Sequence, residues 1–148
     1  MFFGQVARTL DAKGRLIIPA QYRDELGSGA YITRGFDRNL SIMPKVYFEE
    51  VYRKVNAKSI TDPAARQLKR FLFANADYVE PDKMGRIRIP AFLREAIQLQ
   101  DEVTVTGVGD FLELWVPDVW QAYLEKLEND ELNAEVYSGV DLSDESSK

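Results

Sequence analysis

The chain contains no cysteine and no histidine. Without cysteine there is no disulfide framework, and cytosolic residence is the default expectation. Without histidine it lacks the commonest general base, the commonest zinc ligand and every Ser-His or Cys-His nucleophile arrangement. Carboxylate or lysine chemistry stays open in principle. Yet no carboxylate pair stands at a suggestive spacing, and there is neither a glycine-rich phosphate loop nor a lysine in an evident apolar pocket. The sequence therefore argues against an enzyme, and no metal, cofactor or small-molecule substrate is expected. No apolar run approaches the roughly 18 residues of a membrane span. The opening Met1-Phe2-Phe3-Gly4-Gln5 lacks the basic-then-apolar signature of a secretory leader.

Positive charge is also in deficit: 19 Lys and Arg against 24 Asp and Glu give a net charge of −5. Taken as a total, that argues against nucleic acid. Its distribution reverses the emphasis. Residues 117–148 hold nine acidic and two basic residues, whereas 1–116 hold seventeen basic and fifteen acidic ones. Local patches decide binding more than the total does. A length of 148 residues suits one domain or two small intertwined ones, with 45% hydrophobic residues to build a core.

Within this ordinary composition one stretch is written twice. Asp11-Ala12-Lys13-Gly14-Arg15-Leu16-Ile17-Ile18-Pro19-Ala20 returns as Asp82-Lys83-Met84-Gly85-Arg86-Ile87-Arg88-Ile89-Pro90-Ala91, at a constant offset of 71 residues. Arg23 and Arg94 keep the same offset. A duplication of this kind predicts one supersecondary unit built twice and folded against itself.

Each unit reads as hairpin, short helix, hairpin and longer helix. Gln5 to Leu10 and Arg15 to Ile18 are expected as two arms of a hairpin around Ala12-Lys13-Gly14, with Pro19 ending the ladder. Gly14 and Gly85 supply the left-handed conformation that closes such turns, and Asp11 and Asp82 cap them by accepting bonds from turn amides. Ala20 to Leu26 predicts the short helix, Tyr31 to Gly35 and Leu40 to Met43 the second hairpin, and Pro44 to Asn56 the longer helix. The second unit repeats this, with strands at Asp77 to Val79, Arg86 to Ile89, Val103 to Gly107 and Phe111 to Val116. Between the units, Asp62-Pro63 announces a helix running to Ala74. The expected organisation is a first unit over 1–56, a helical linker over 57–76, a second unit over 77–129 and an acidic tail over 130–148. Disorder is expected over Asp141–Lys148.

The Asp-x-x-x-Arg hairpin followed by an aliphatic strand and Pro resembles the swapped-hairpin AbrB-like (SpoVT-AbrB) DNA-binding domains. Two copies in one chain, with Met-Phe-x-Gly at the start and Phe-Leu-Glu-Leu-Trp near the end, resemble the MraZ family over roughly Met1 to Trp120. The resemblance implies an α+β fold of two intertwined AbrB-like β-hairpin units, forming a small β-barrel with pseudo-two-fold symmetry, flanking helices and a helical linker. It also implies a cytoplasmic, nucleoid-associated regulator whose protomers form a homo-oligomeric ring. Such a ring binds direct repeats of double-stranded DNA upstream of the division and cell-wall gene cluster, repressing it. Motif position carries the DNA-contacting role over to Arg15 and Arg86.

The residues support this independently of the name. Lys13 and Arg15 sit on one expected exposed edge, and Lys83, Arg86 and Arg88 on its equivalent. The planar fork of arginine suits phosphate oxygens and guanine edges. Asp11 and Asp82 are expected as turn caps and not as DNA ligands, because a carboxylate repels phosphate. The rival reading is a protein-interaction module of antitoxin type, whose cations dock a protein partner.

Overall fold

Each half of the chain lays down the same series in the computed structural model, which describes residues 1–143. The first half runs β1 (Gln5–Thr9), β2 (Arg15–Ile17), α1 (Ala20–Leu26), β3 (Ala30–Arg34), β4 (Leu40–Pro44) and α2 (Lys45–Asn56). After α3 (Pro63–Phe73) come β5 (Asp77–Val79), β6 (Arg86–Arg88), α4 (Ala91–Ala96), β7 (Glu102–Gly107), β8 (Leu112–Trp115) and α5 (Pro117–Leu127). A final helix, α6 (Asp130–Tyr137), follows. Helix starts follow local chemistry. Pro19 and Pro90 sit just before α1 and α4 with φ of −51° and −53°, while Asp62 accepts the Ala64 amide ahead of Pro63 in α3. The expected α+β class, built from two interlocked hairpin units, is borne out.

The chain divides into a unit spanning Met1–Pro117 and a smaller C-terminal unit from Asp118 onward. In the first unit, six strands form an antiparallel sheet in the order β1-β7-β8-β4-β3-β5, and β2 and β6 form a separate two-stranded ribbon. Exchanging the repeats turns β1 into β5, β7 into β3 and β8 into β4, so the sheet order reads the same from either end. At its centre Ser41 faces Glu113, flanked by the pairs Leu40↔Leu114 and Ile42↔Leu112.

One sequence expectation needs correction. The arms Gln5 to Leu10 and Arg15 to Ile18 do not pair with each other. β1 pairs with β7 of the other repeat, from Gln5↔Thr106 to Thr9↔Glu102, and β2 pairs with β6. Likewise β5 pairs with β3 instead of β6. Burial explains the swap. Leu16, Ile18 and Ile89 are fully buried and Ile87 is 2% exposed, so each short strand secures its apolar face only by lying against its repeat mate. Leu10 turns the chain out of β1 by donating its amide to the Asp101 carbonyl at 2.6 Å.

The same core includes Leu40, Ile42, Leu112, Leu114, Leu26, Leu93 and Tyr22. Of the two N-terminal phenylalanines, Phe2 is buried, its ring centroid 5.5 Å from that of Tyr22, while Phe3 is exposed. In the C-terminal unit, Trp120 stacks on Tyr123, and Asn129 caps α6 by accepting the Leu132 amide at 3.0 Å. This helix lies within the stretch read from sequence as an acidic tail. Most of the segment expected to be disordered, Asp144–Lys148, lies outside the described residues. Among the described residues no helix is long and apolar enough to cross a membrane.

Candidate nucleic-acid interface

The two motif turns are built alike. Asp11 Oδ1 accepts the amides of Lys13 and Arg15, both at 2.9 Å, and its Oδ2 accepts Arg15 Nε at 2.6 Å. Asp82 Oδ1 accepts the amides of Met84 and Arg86 at 2.9 Å, and its Oδ2 accepts Arg86 Nε at 2.9 Å. Gly14 and Gly85 complete the turns with φ of +73° and +76°, a region where a Cβ brings strain. The Arg15 amide, aided by the Arg15 side chain and the Lys13 amide, holds the Asp11 carboxyl below its ordinary value. Asp82 is lowered in the same way by Arg86 and Met84.

Each carboxylate is thus committed to its own turn and stays ionised. A half-exposed ion pair of this kind contributes little stability. Its effect is orientation: binding Nε fixes the guanidinium plane and leaves the Nη groups available to another acceptor.

The β2–β6 ribbon brings the repeats' cations together. Arg15 faces Arg88, Leu16 faces Ile87 and Ile17 faces Arg86. Side chains alternate along a strand, so with Leu16 and Ile87 turned into the core, Arg15, Ile17, Arg86 and Arg88 share the outer face. Arg88 is exposed, and the side chains of Arg15 and Arg86 are 30% and 25% exposed. Like charges directly opposite each other weaken a ladder. Arg15 against Arg88 is therefore a cost that an anion laid across the ribbon would relieve.

The turns bracket this face. The Ile89 amide donates to the Gly14 carbonyl at 3.0 Å and the Ile18 amide to the Gly85 carbonyl at 2.8 Å. The first turn, carrying exposed Lys13, thereby lies at the Arg15–Arg88 end, and the second, carrying exposed Lys83, at the Ile17–Arg86 end. All five cations singled out from sequence belong to one ribbon and its two turns.

Arg23 and Arg94 hold the assembly from behind. Arg23 Nε donates to the Ile18 carbonyl at 2.9 Å and Arg94 Nε to the Ile89 carbonyl at 3.0 Å. Other cations are engaged locally: Arg34 stands 5.3 Å from the Phe71 ring, Arg66 donates to the Ile60 carbonyl and Lys69 to the Lys58 carbonyl. Sequence reasoning passed over Ile17 and Met84, two exposed apolar residues of the ribbon and its turns. The signal was present in the offset of 71, which matches Ile17 to Arg88 and Met84 to Lys13.

Comparison with known proteins adds a second line of observation. A family model described as "MraZ protein, putative antitoxin-like" matches residues 1–71 and again residues 72–140. A protein of Herpetosiphon aurantiacus named transcriptional regulator MraZ is 42% identical over 125 residues, covering 84% of this chain and 87% of its own length. The protein of that name from Roseiflexus castenholzii is 43% identical over 128 residues, covering 86% and 90%. That from Leuconostoc mesenteroides is 41% identical over 130 residues, covering 88% and 91%.

Proposed function

Because this chain belongs to the MraZ family, we propose that it is a transcriptional regulator that grips double-stranded DNA with the β2–β6 ribbon. The observation that carries the reading is the outer face of that ribbon, where Arg15, Arg86 and Arg88 stand over a buried Leu16–Ile87 pair. A two-stranded antiparallel ribbon fits the major groove, about 12 Å wide. Arg15 and Arg86, aimed by Asp11 and Asp82, supply forks for guanine edges or phosphates. Lys13, Lys83 and Arg88 add phosphate contacts. Gly14 and Gly85 let the chain turn tightly enough to present them.

One protomer neutralises about 2–4 phosphates, which gives weak binding. Assembly into a homo-oligomeric ring recovers affinity by engaging several direct repeats at once, through effective concentration. The target is the DNA upstream of the division and cell-wall gene cluster, which the ring represses, and the protein works in the cytoplasm on the nucleoid. No catalytic step is involved. The acidic total then limits non-specific binding, and valence restores recognition. A gel shift on the DNA immediately upstream of this gene, titrated with salt, tests the reading. Retarded species that vanish steeply between about 50 and 200 mM salt support it. An unretarded probe at the lowest salt contradicts it.

The antitoxin-like description of the matching family favours one rival, in which the same cations dock a protein. A stoichiometric protein partner in a pull-down, with no retention on DNA, decides for that rival.

A further inference from the structure

The two ends of the ribbon are chemically unlike, although the repeat that builds it is two-fold. Arg88 in β6 occupies the place of Ile17 in β2, and Met84 in the second turn occupies the place of Lys13 in the first. Each repeat therefore carries one apolar residue where its mate carries a cation. Antiparallel pairing collects these differences. Arg15, Arg88 and Lys13 gather at one end, while Ile17 and Met84 gather at the other with Arg86 and Lys83. Ile17 is 46% exposed and Met84 64% exposed, so neither belongs to the core.

We infer that this apolar end is a thymine-reading site, in which Ile17 and Met84 pack against C5-methyl groups in the major groove. The inference rests on the DNA-binding reading above and deepens it. The thymine methyl is the apolar feature of the major-groove edges, where the other groups are donors and acceptors. An apolar pair set between Arg86 and Lys83 has its anionic surroundings in the flanking phosphates and its apolar complement in the methyl. The unbranched thioether of Met84 adapts to the step it meets, while β-branched Ile17 is stiff at χ1 and sets the position. The opposite end, with three cations and no exposed aliphatic side chain in its place, takes phosphates or guanine. One protomer then binds its element in a single direction, because its two half-sites differ.

Uracil in place of thymine removes the methyl and leaves base pairing intact, so it isolates this contact. Binding by fluorescence anisotropy is compared on the duplex immediately upstream of this gene and on the same duplex with every thymine replaced by uracil. The wild-type chain is expected to bind the uracil duplex about fourfold more weakly for each methyl contacted. The double variant Ile17→Ala, Met84→Ala is expected to bind both duplexes alike. A second double variant, Ile17→Arg with Met84→Lys, restores the residues that the other repeat already tolerates. It is expected to bind both duplexes alike with unreduced affinity, which separates lost reading from lost folding. Equal wild-type affinity for the two duplexes, or wild-type discrimination retained by both double variants, overturns the inference while leaving DNA binding in place. Wild-type protein that binds neither duplex removes the DNA-binding reading itself, and the inference with it.

Discussion

Arg23 of the first repeat lies over Gly85 of the second: a Cβ built on that glycine falls 2.5 Å from the Arg23 Nε. The reciprocal pair is equally close, with 2.7 Å between a Cβ on Gly14 and the Arg94 guanidinium carbon. Each motif turn is therefore closed by its own aspartate and covered by an arginine from the other repeat. That reciprocity joins the two turns into one object, and it makes the glycines needed twice, for their positive φ and for the space above them.

Gly14→Ala and Gly85→Ala are accordingly each expected to destabilise the fold by about 1–2 kcal/mol through backbone strain. Crowding against the opposite arginine adds to that. Chemical denaturation reads the effect. Adding Arg23→Ala to Gly85→Ala is expected to recover the crowding component and leave the strain, giving a non-additive double-mutant cycle.

The apolar side of the ribbon bears on the same question of how the repeats interlock. Leu16→Ala and Ile87→Ala are each expected to cost about 2–5 kcal/mol, the usual range for truncating a buried aliphatic side chain. Since the two residues face each other, the double variant is expected to cost less than the sum. Additive losses, measured by urea unfolding, indicate that the two strands pack independently.

Much of this was legible in the sequence. The repeat, the short helices before which Pro19 and Pro90 stand, the β3–β4 and β7–β8 hairpins and the Asp62-capped helix all follow from local chemistry. Strand partnership does not. An Asp-x-x-x-Arg turn looks the same in sequence whether its flanking strands pair together or each pairs with the other repeat. The choice is made by Leu16, Ile18, Ile87 and Ile89, which reach burial only in the exchanged arrangement. The grouping of Arg15 with Arg88, and of Ile17 with Arg86, inherits that choice, so no local pattern announced it. For α6 the signal was local: Asn129 as cap with Asp130 and Glu131 in the first turn.

Asp11 and Asp82 have folded-state values lowered from the ordinary 3.8, chiefly by the amides of Arg15 and Arg86. A lowered value means that their contribution is fully present above the ordinary carboxylate range and is lost as pH falls below it. DNA affinity is therefore expected to show no carboxylate step from these two between about pH 5 and 8. Asp11→Asn and Asp82→Asn are expected to weaken binding by freeing the guanidinium planes while leaving the salt dependence unchanged. An anisotropy titration at several salt concentrations checks both points, and a shallower salt slope would count against an orienting role.

Glu113 behaves in the opposite sense. Burial raises its carboxyl above the ordinary 4.5, against opposing hydrogen bonds from Trp115, Asn39 and Thr106. Asn39 Nδ2 donates to it at 2.9 Å, and it faces Ser41 at the sheet centre. A raised folded value makes the native state hold this proton more tightly than the unfolded chain. Its favourable contribution is therefore present near the ordinary value and lost as pH rises from there through the folded value. Glu113→Gln is expected to flatten that decline. Thermal melts of both proteins across pH 4 to 7.5 check the prediction, and parallel curves refute it.

The central claim is that one ribbon, with an arginine from each repeat aimed by its own aspartate, meets DNA. It is tested most directly by the salt dependence of binding for the wild-type chain, Arg15→Ala and Arg86→Ala on the upstream duplex. The account predicts that each variant stays folded and loses most of its affinity. For every phosphate contact removed, the slope of log affinity against log salt becomes shallower by about 0.9. Folded variants that bind with wild-type affinity and wild-type slope would contradict it.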